Sequence, residues 1–119
     1  MKLEDVLVLE NEPFIALDLE DMLKGCGASS VTSFNTQAQA LVWLASNRPQ
    51  VAVVDPRLND GLCTGAVAAL AEANIPFVVY SGAEVDEEAK DAFDRGVWLA
   101  KPAAPEMLGE ALARLLATD

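Results

Sequence analysis

The sequence predicts an α/β domain, a parallel sheet with helices packed on both faces. Two observations carry that reading. Short apolar runs alternate with amphipathic helical segments five times along the chain, without repeats, a linker or a second domain. The runs Val51-Ala52-Val53-Val54 and Phe77-Val78-Val79-Tyr80 show no polar alternation, as expected of strands buried on both faces.

The elements follow in order. Val6-Leu7-Val8-Leu9, bounded by acidic residues, reads as a buried strand ending at Glu10-Asn11-Glu12. Pro13 suits a first helical turn. Ile15, Leu19, Met22 and Leu23 then recur at helical spacing, with Asp18, Glu20 and Asp21 turned to water, until Gly25 and Gly27 stop the helix. Val31 and Phe34 mark a short second strand, and Asn35 is the expected cap of a second helix whose core side is Ala40, Leu41 and Leu44. After Pro49 comes the third strand, closing on Asp55, then a loop to Gly65 and an alanine-rich helix ending near Asn74. The fourth strand follows Pro76 and delivers Ser81 and Gly82. A fourth helix carries Val85, Ala89, Ala92 and Phe93 and stops at Gly96. The acidic run Glu84, Asp86, Glu87, Glu88 reads as its solvated start. Val97-Trp98-Leu99-Ala100 is a fifth strand closing on Lys101-Pro102, and a last helix from about Pro105 packs Leu108, Ala111, Leu112 and Leu115. Right-handed crossovers bring the carboxyl ends of all these strands to one edge.

Composition narrows the function. The 119 residues fit one domain, residues 1–119, with a single core. A formal charge of −11 argues against nucleic acid, which needs a basic face, and favours a protein partner, a cation, or both. The first residues lack the apolar segment of a signal peptide, and no run is long enough to span a bilayer, so a cytoplasmic protein is expected. Cys26 and Cys63 form no metal-type cluster and read as reduced thiols in small apolar roles. Without histidine, the chain holds no Ser-His machinery and no His-ligated zinc, so any histidine chemistry must come from a partner.

The strand ends together supply Glu10 and Asn11, Asp55, Ser81 and Gly82, and Lys101. Taken alone, Asp55 either opens the turn-rich stretch Pro56-Arg57-Leu58-Asn59-Asp60-Gly61 or carries chemistry. Carboxylates gathered at one edge repel, and a hard, oxygen-seeking cation such as Mg²⁺ relieves that repulsion. A lysine on another strand adds a fixed positive charge, while serine beside glycine offers a hydroxyl and accessible N–H. These are parts suited to holding a phosphoryl group.

At this point the whole chain resembles the receiver domain of bacterial two-component response regulators. The likeness rests on Leu9-Glu10-Asn11-Glu12-Pro13, Val53-Val54-Asp55, Val79-Tyr80-Ser81-Gly82-Ala83 and Leu99-Ala100-Lys101-Pro102, in order and each after an expected strand. The resemblance implies a flavodoxin-like doubly wound sheet of five strands in the order 2-1-3-4-5, with five helices. It implies that Asp55 is the phosphoacceptor, loaded from a phosphohistidine on a histidine kinase or histidine phosphotransfer protein. Mg²⁺ would be held by Glu10, Asn11, Asp55 and the carbonyl of Arg57, with Lys101 and Ser81 on the phosphoryl oxygens. Trp98 matches the aromatic position whose rotamer reports phosphorylation. The fourth helix, fifth strand and fifth helix would form the face for a downstream protein target, with no nucleic-acid or membrane partner.

Three residues depart from the family pattern. Asn11 stands where a metal-binding aspartate is usual, which keeps an oxygen ligand, removes a charge and implies weaker Mg²⁺ binding. Glu12 either reaches back to compensate or is a solvated carboxylate at a helix start. Pro56 removes one backbone donor beside Asp55, and Asn59 replaces a common proline. The sequence therefore reads first as a single-domain phosphoacceptor regulator. The alternative is a degenerate pseudo-receiver serving as a phosphorylation-independent protein-binding module. A flavin or nucleotide carrier would need a phosphate-cradling loop where Glu10-Asn11-Glu12 places acid.

Overall fold

The computed structural model describes residues 2–82 and 87–117, with the side chains of residues 87–89 outside the description. Accordingly Ala83, Val85, Ala89 and the acidic run from Glu84 to Glu88 lie outside what is described here of side chains. The central strands are β1 (Asp5–Leu9), β2 (Ser30–Phe34), β3 (Val51–Val54), β6 (Phe77–Ser81) and β7 (Val97–Ala100). They form one five-stranded sheet in the order β2-β1-β3-β6-β7, with every pairing parallel. Counting only these strands, this is the expected order 2-1-3-4-5. Between β3 and β6 the chain adds a short antiparallel ribbon, β4 (Arg57–Leu58) with β5 (Gly61–Leu62), where the sequence reads only as a loop. Gly61 sits there at φ 112, a left-handed conformation that favours glycine.

The helices are α1 (Pro13–Gly25), α2 (Gln37–Leu44), α3 (Thr64–Glu72), α4 (Glu87–Phe93) and α5 (Pro105–Leu116). Alternate residues of each strand feed opposite faces of the sheet. Leu7, Leu9, Ala52, Val54, Phe77 and Val79 join a core with residues of α2, α3 and α4. Val6, Val8, Val51, Val53, Val78 and Tyr80 join a second core with α1 and α5. Burial on both sides explains why these strands read as unbroken apolar runs. Gly96 is required by close approach, since a Cβ there would lie 2.6 Å from Phe77 Cε2 and 2.8 Å from Val79 Cγ2.

Three local expectations change. Thr36, not Asn35, caps α2, its hydroxyl accepting from the Gln39 N–H at 3.3 Å. Asp60 adds a cap from another segment, its carboxylate accepting from the N–H groups of Gln37 at 2.8 Å and Ala38 at 3.0 Å. Those bonds hold its pKa below the usual 3.8. Leu41 and Ala92 face outward rather than into the core, because Ala40 and Phe93 take the buried positions on their helices. No helix among the described residues is long and apolar enough to cross a membrane.

Candidate functional site

The order of the sheet reverses between β1 and β3: β1 leads by way of α1 to β2 on one side, whereas β3 leads to β6 on the other. Crevices at the carboxyl ends of strands form at such a switch point. Glu10 leaves β1 there and Asp55 leaves β3. Their backbones are pinned to neighbouring strands: the Glu10 N–H donates to Phe34 O at 3.1 Å, and the Asp55 N–H to Leu9 O at 2.8 Å. The two acidic side chains are thereby forced close together. Both are buried, at 3% and 8% relative exposure, and they are the buried charged residues of the core region described.

Lys101 answers them. It follows β7, where its N–H donates to Ser81 O at 3.0 Å. Its ammonium lies 2.7 Å from Glu10 Oε1 and 2.8 Å from Asp55 Oδ2. The remaining carboxylate oxygens take backbone donors: Glu12 N–H to Glu10 Oε2 and Arg57 N–H to Asp55 Oδ1, both at 3.0 Å. Although Pro56 has no N–H, Arg57 supplies a donor one residue on. Burial raises the Glu10 pKa above its ordinary 4.5, against the opposing pull of Lys101. Burial also pulls on Lys101, but its hydrogen bonds to Asp55 and Glu10 prevail and keep its pKa above 10.5.

A cleft of about 190 Å³ opens over this cluster, lined by Asn11, Asp55, Pro56, Arg57, Ser81, Gly82 and Lys101. Glu10 is not part of that lining, though its carboxylate holds the Lys101 ammonium that is. Glu12 is exposed, as a solvated carboxylate would be. Trp98 lies away from the cleft on β7, 37% exposed, with its ring edge-on to Phe93 at 6.5 Å. Six residues singled out in the sequence thus surround one point, namely Glu10, Asn11, Asp55, Arg57, Ser81 and Lys101, whereas Trp98 stands apart.

The donors at this point suit a hard divalent cation. They are oxygens: the Asp55 and Glu10 carboxylates, the Asn11 amide and the main-chain carbonyl of Arg57. Glu10 Oε1 is buried and has no hydrogen-bond donor beyond its ammonium contact. Among the described residues no group of three or more His, Cys, Asp or Glu gathers, so charge comes from two carboxylates only.

Two supports were not legible in the sequence. The Tyr80 hydroxyl accepts from the Ala103 N–H at 3.0 Å, and its ring lies 5.5 Å from the Lys101 ammonium, so one buried side chain steadies the lysine segment twice. Cys63 closes the turn after Asp55: its N–H donates to Pro56 O at 3.0 Å and its thiol to Asp55 O at 3.3 Å. Burial pushes this thiol up to about 12, so it stays protonated as a donor. The tyrosine was visible only as part of an apolar run, and the cysteine eight residues beyond Asp55 carried no spacing signal.

The fold and the charged cleft at its switch point define a doubly wound α/β domain of the flavodoxin-like kind. No family model matches the sequence. Among solved structures, SdrG from Sphingomonas melonis Fr1 is 34% identical, with 97% of this chain and 98% of that one covered and a TM-score of 0.81. The signal receiver domain of a modulated diguanylate cyclase from Desulfovibrio desulfuricans G20 is 26% identical, with 97% and 94% covered and a TM-score of 0.84. The receiver domain of sensor histidine kinase PA1611 from Pseudomonas aeruginosa PAO1, solved with magnesium coordinated in its active-site cleft, shares the fold at 20% identity, with a TM-score of 0.83 over 98% of this chain and 99% of that one. The phyllosphere-induced regulator PhyR of Methylorubrum extorquens is 34% identical over 58 residues, which is 48% of this chain but 22% of that regulator. The chain belongs to the receiver-domain family of response regulators.

Proposed function

We propose that this receiver is a phosphoacceptor in a two-component phosphorelay, with Asp55 taking the phosphoryl group and protein contact carrying the signal onward. The observation that carries the reading is Asp55 itself. It is a buried carboxylate on the wall of an open cleft, with one oxygen on the Arg57 N–H and the other on the Lys101 ammonium. The receiver resemblance supplies the donor, a phosphohistidine on a histidine kinase or phosphotransfer protein, and since the chain has no histidine that group belongs to a partner. A carboxylate oxygen of Asp55 attacks phosphorus and the P–N bond breaks. The electron pair returns to the imidazole nitrogen, which takes a proton from solvent. Lys101, already fixed between two acids, balances charge on the transferred oxygens, and Ser81 in the cleft lining offers its hydroxyl. Magnesium, held by Glu10, Asn11, Asp55 and the Arg57 carbonyl, would supply further neutralisation of the phosphoryl oxygens, and the magnesium in the Pseudomonas receiver supports its presence. Asn11 makes that binding weaker than a third carboxylate would. The reading places the chain in the cytoplasm, with α4, β7 and α5 as the face for a downstream protein. Trp98 and Met107 are exposed there, and Trp98 is the residue that reports the change.

Incubation with acetyl phosphate and Mg²⁺ is expected to add the mass of one phosphoryl group, lost in Asp55→Asn. A folded wild-type chain that gains no mass refutes this reading. Asn11 on the cleft wall favours one other reading, a pseudo-receiver that binds its partner without phosphate, because a single ammonium already spans both carboxylates. In that case partner binding persists unchanged in Asp55→Asn.

A further inference from the structure

Lysine is a point charge on a flexible four-carbon stem, so an ammonium that has to stand in one place needs more than its own bonds to put it there. Glu10 and Asp55 grip Lys101 at the tip. The backbone that carries it is leaving the sheet: β7 ends at Ala100, α5 begins at Pro105, and Ala104 before it carries no polar side chain. Gly82, where a Cβ would lie 3.4 Å from Lys101 Cδ, offers the stem no side chain to rest on. The hold comes from Tyr80. Its hydroxyl accepts from the Ala103 N–H, two residues beyond Lys101, at 3.0 Å, and its ring centroid lies 5.5 Å from the ammonium. Tyr80 is buried in the core shared with α1 and α5, at 3% exposure. An apolar core has no use for a hydroxyl, which costs free energy there unless it is bonded, so the bond to Ala103 accounts for tyrosine where phenylalanine would fill the same space.

We propose that Tyr80 is a positioning residue for phosphoryl transfer, holding Lys101 where the transferred oxygens come to lie. The inference rests on the phosphoacceptor reading of Asp55. Tyr80 is not in the cleft lining and touches no reacting atom, so it acts through Lys101. Its hold differs in kind from that of the acids. The bond from Lys101 to Asp55 Oδ2 changes as soon as a carboxylate oxygen of Asp55 takes the phosphoryl group. The Tyr80 contacts are made to the backbone at Ala103 and to the face of a ring, neither of which the reaction alters. They therefore keep the ammonium in range from the free site through to the phosphorylated one, which is the preorganisation that transfer by positioning and charge requires.

The test compares wild type, Tyr80→Phe and Thr36→Ala, each shown to be folded by circular dichroism. Phosphorylation by acetyl phosphate with Mg²⁺ is followed as mass gain against time. Tyr80→Phe keeps the ring and loses the bond to Ala103, and its rate is expected to fall about tenfold. Thr36→Ala removes the cap of α2, outside the cleft lining, with a comparable loss of stability, and leaves the rate unchanged. Carbon-13 labelling of lysine gives a second readout, which a loss of stability alone does not move. The two ε-protons of Lys101, inequivalent while the stem is held, draw together in Tyr80→Phe and stay apart in Thr36→Ala. Their signal is identified by its absence from Lys101→Met. A folded wild type that gains no mass refutes the phosphoacceptor reading and this role with it. With the wild type phosphorylated, three results overturn the positioning role alone: an undiminished rate in Tyr80→Phe, equal slowing in Thr36→Ala, or ε-protons whose separation is absent in the wild type or unchanged in Tyr80→Phe.

Discussion

Replacing Lys101 by methionine keeps a flexible apolar stem but removes the cation shared by Glu10 and Asp55. In the native protein the ammonium makes contacts of 2.7 and 2.8 Å to carboxylates whose side chains are 1% and 11% exposed. Removing one partner of a buried ion pair costs about 3–5 kcal/mol, because the charge left behind has neither water nor a counter-ion. Two features hold this case near the lower limit. The Lys101 side chain is itself 14% exposed, so water already screens part of the attraction. Burial also raises the pKa of Glu10, so the abandoned acid can take up a proton rather than remain charged. The expected loss is about 3 kcal/mol, which at a urea dependence of about 2 kcal/mol/M moves the unfolding midpoint down by about 1.5 M. Urea titration followed by circular dichroism at neutral pH measures this. The double variant Lys101→Met/Glu10→Gln is expected to recover part of the loss, since it leaves one buried carboxylate rather than two. A single variant as stable as wild type, or a double variant no more stable than the single, refutes the electrostatic account of the site.

Other perturbations probe the supports around it. Tyr80→Phe deletes the acceptor for the Ala103 N–H and lowers stability by about 1 kcal/mol in the same titration, with the ring packing retained. Gly96→Ala drives a methyl group to 2.6 Å from Phe77 Cε2 and is expected to cost about 1–3 kcal/mol, read as a lower melting temperature. Asp60 holds its proton less tightly in the folded chain than the ordinary 3.8, so its stabilisation is complete above that pH and lost as pH falls through the lowered folded value. Asp60→Asn should therefore flatten the acid limb of the stability–pH curve, and an unchanged limb would remove Asp60 as the cap of α2.

Much of the fold is legible in the residue order, because both faces of a parallel sheet are buried and each strand must then be apolar throughout. Val51 to Val54 and Phe77 to Tyr80 announce themselves for that reason. The short ribbon of β4 and β5 does not, since two residues per strand carry no periodicity. Leu41 illustrates a second limit: helical spacing identifies a stripe, but on an eight-residue helix such as α2 it does not say which edge of the stripe the sheet will cover. Among the site residues, Asp55 and Lys101 are conspicuous as charges delivered at the ends of apolar runs. Tyr80 and Cys63 are hidden, because their roles depend on groups 23 and eight residues away.

By itself the sequence determined the class of fold, the edge where charge collects and the absence of any histidine. Those follow from local patterning and composition, which the chain carries wherever it goes. Tertiary structure decided that Lys101 bridges both acids, that Asn11 lines the cleft whereas Glu10 does not, and that Asp60 caps α2 from another segment. The reason is geometric. Such relations hold between segments far apart in the chain, and only the stacking of β1, β3, β6 and β7 in register sets the distances between them.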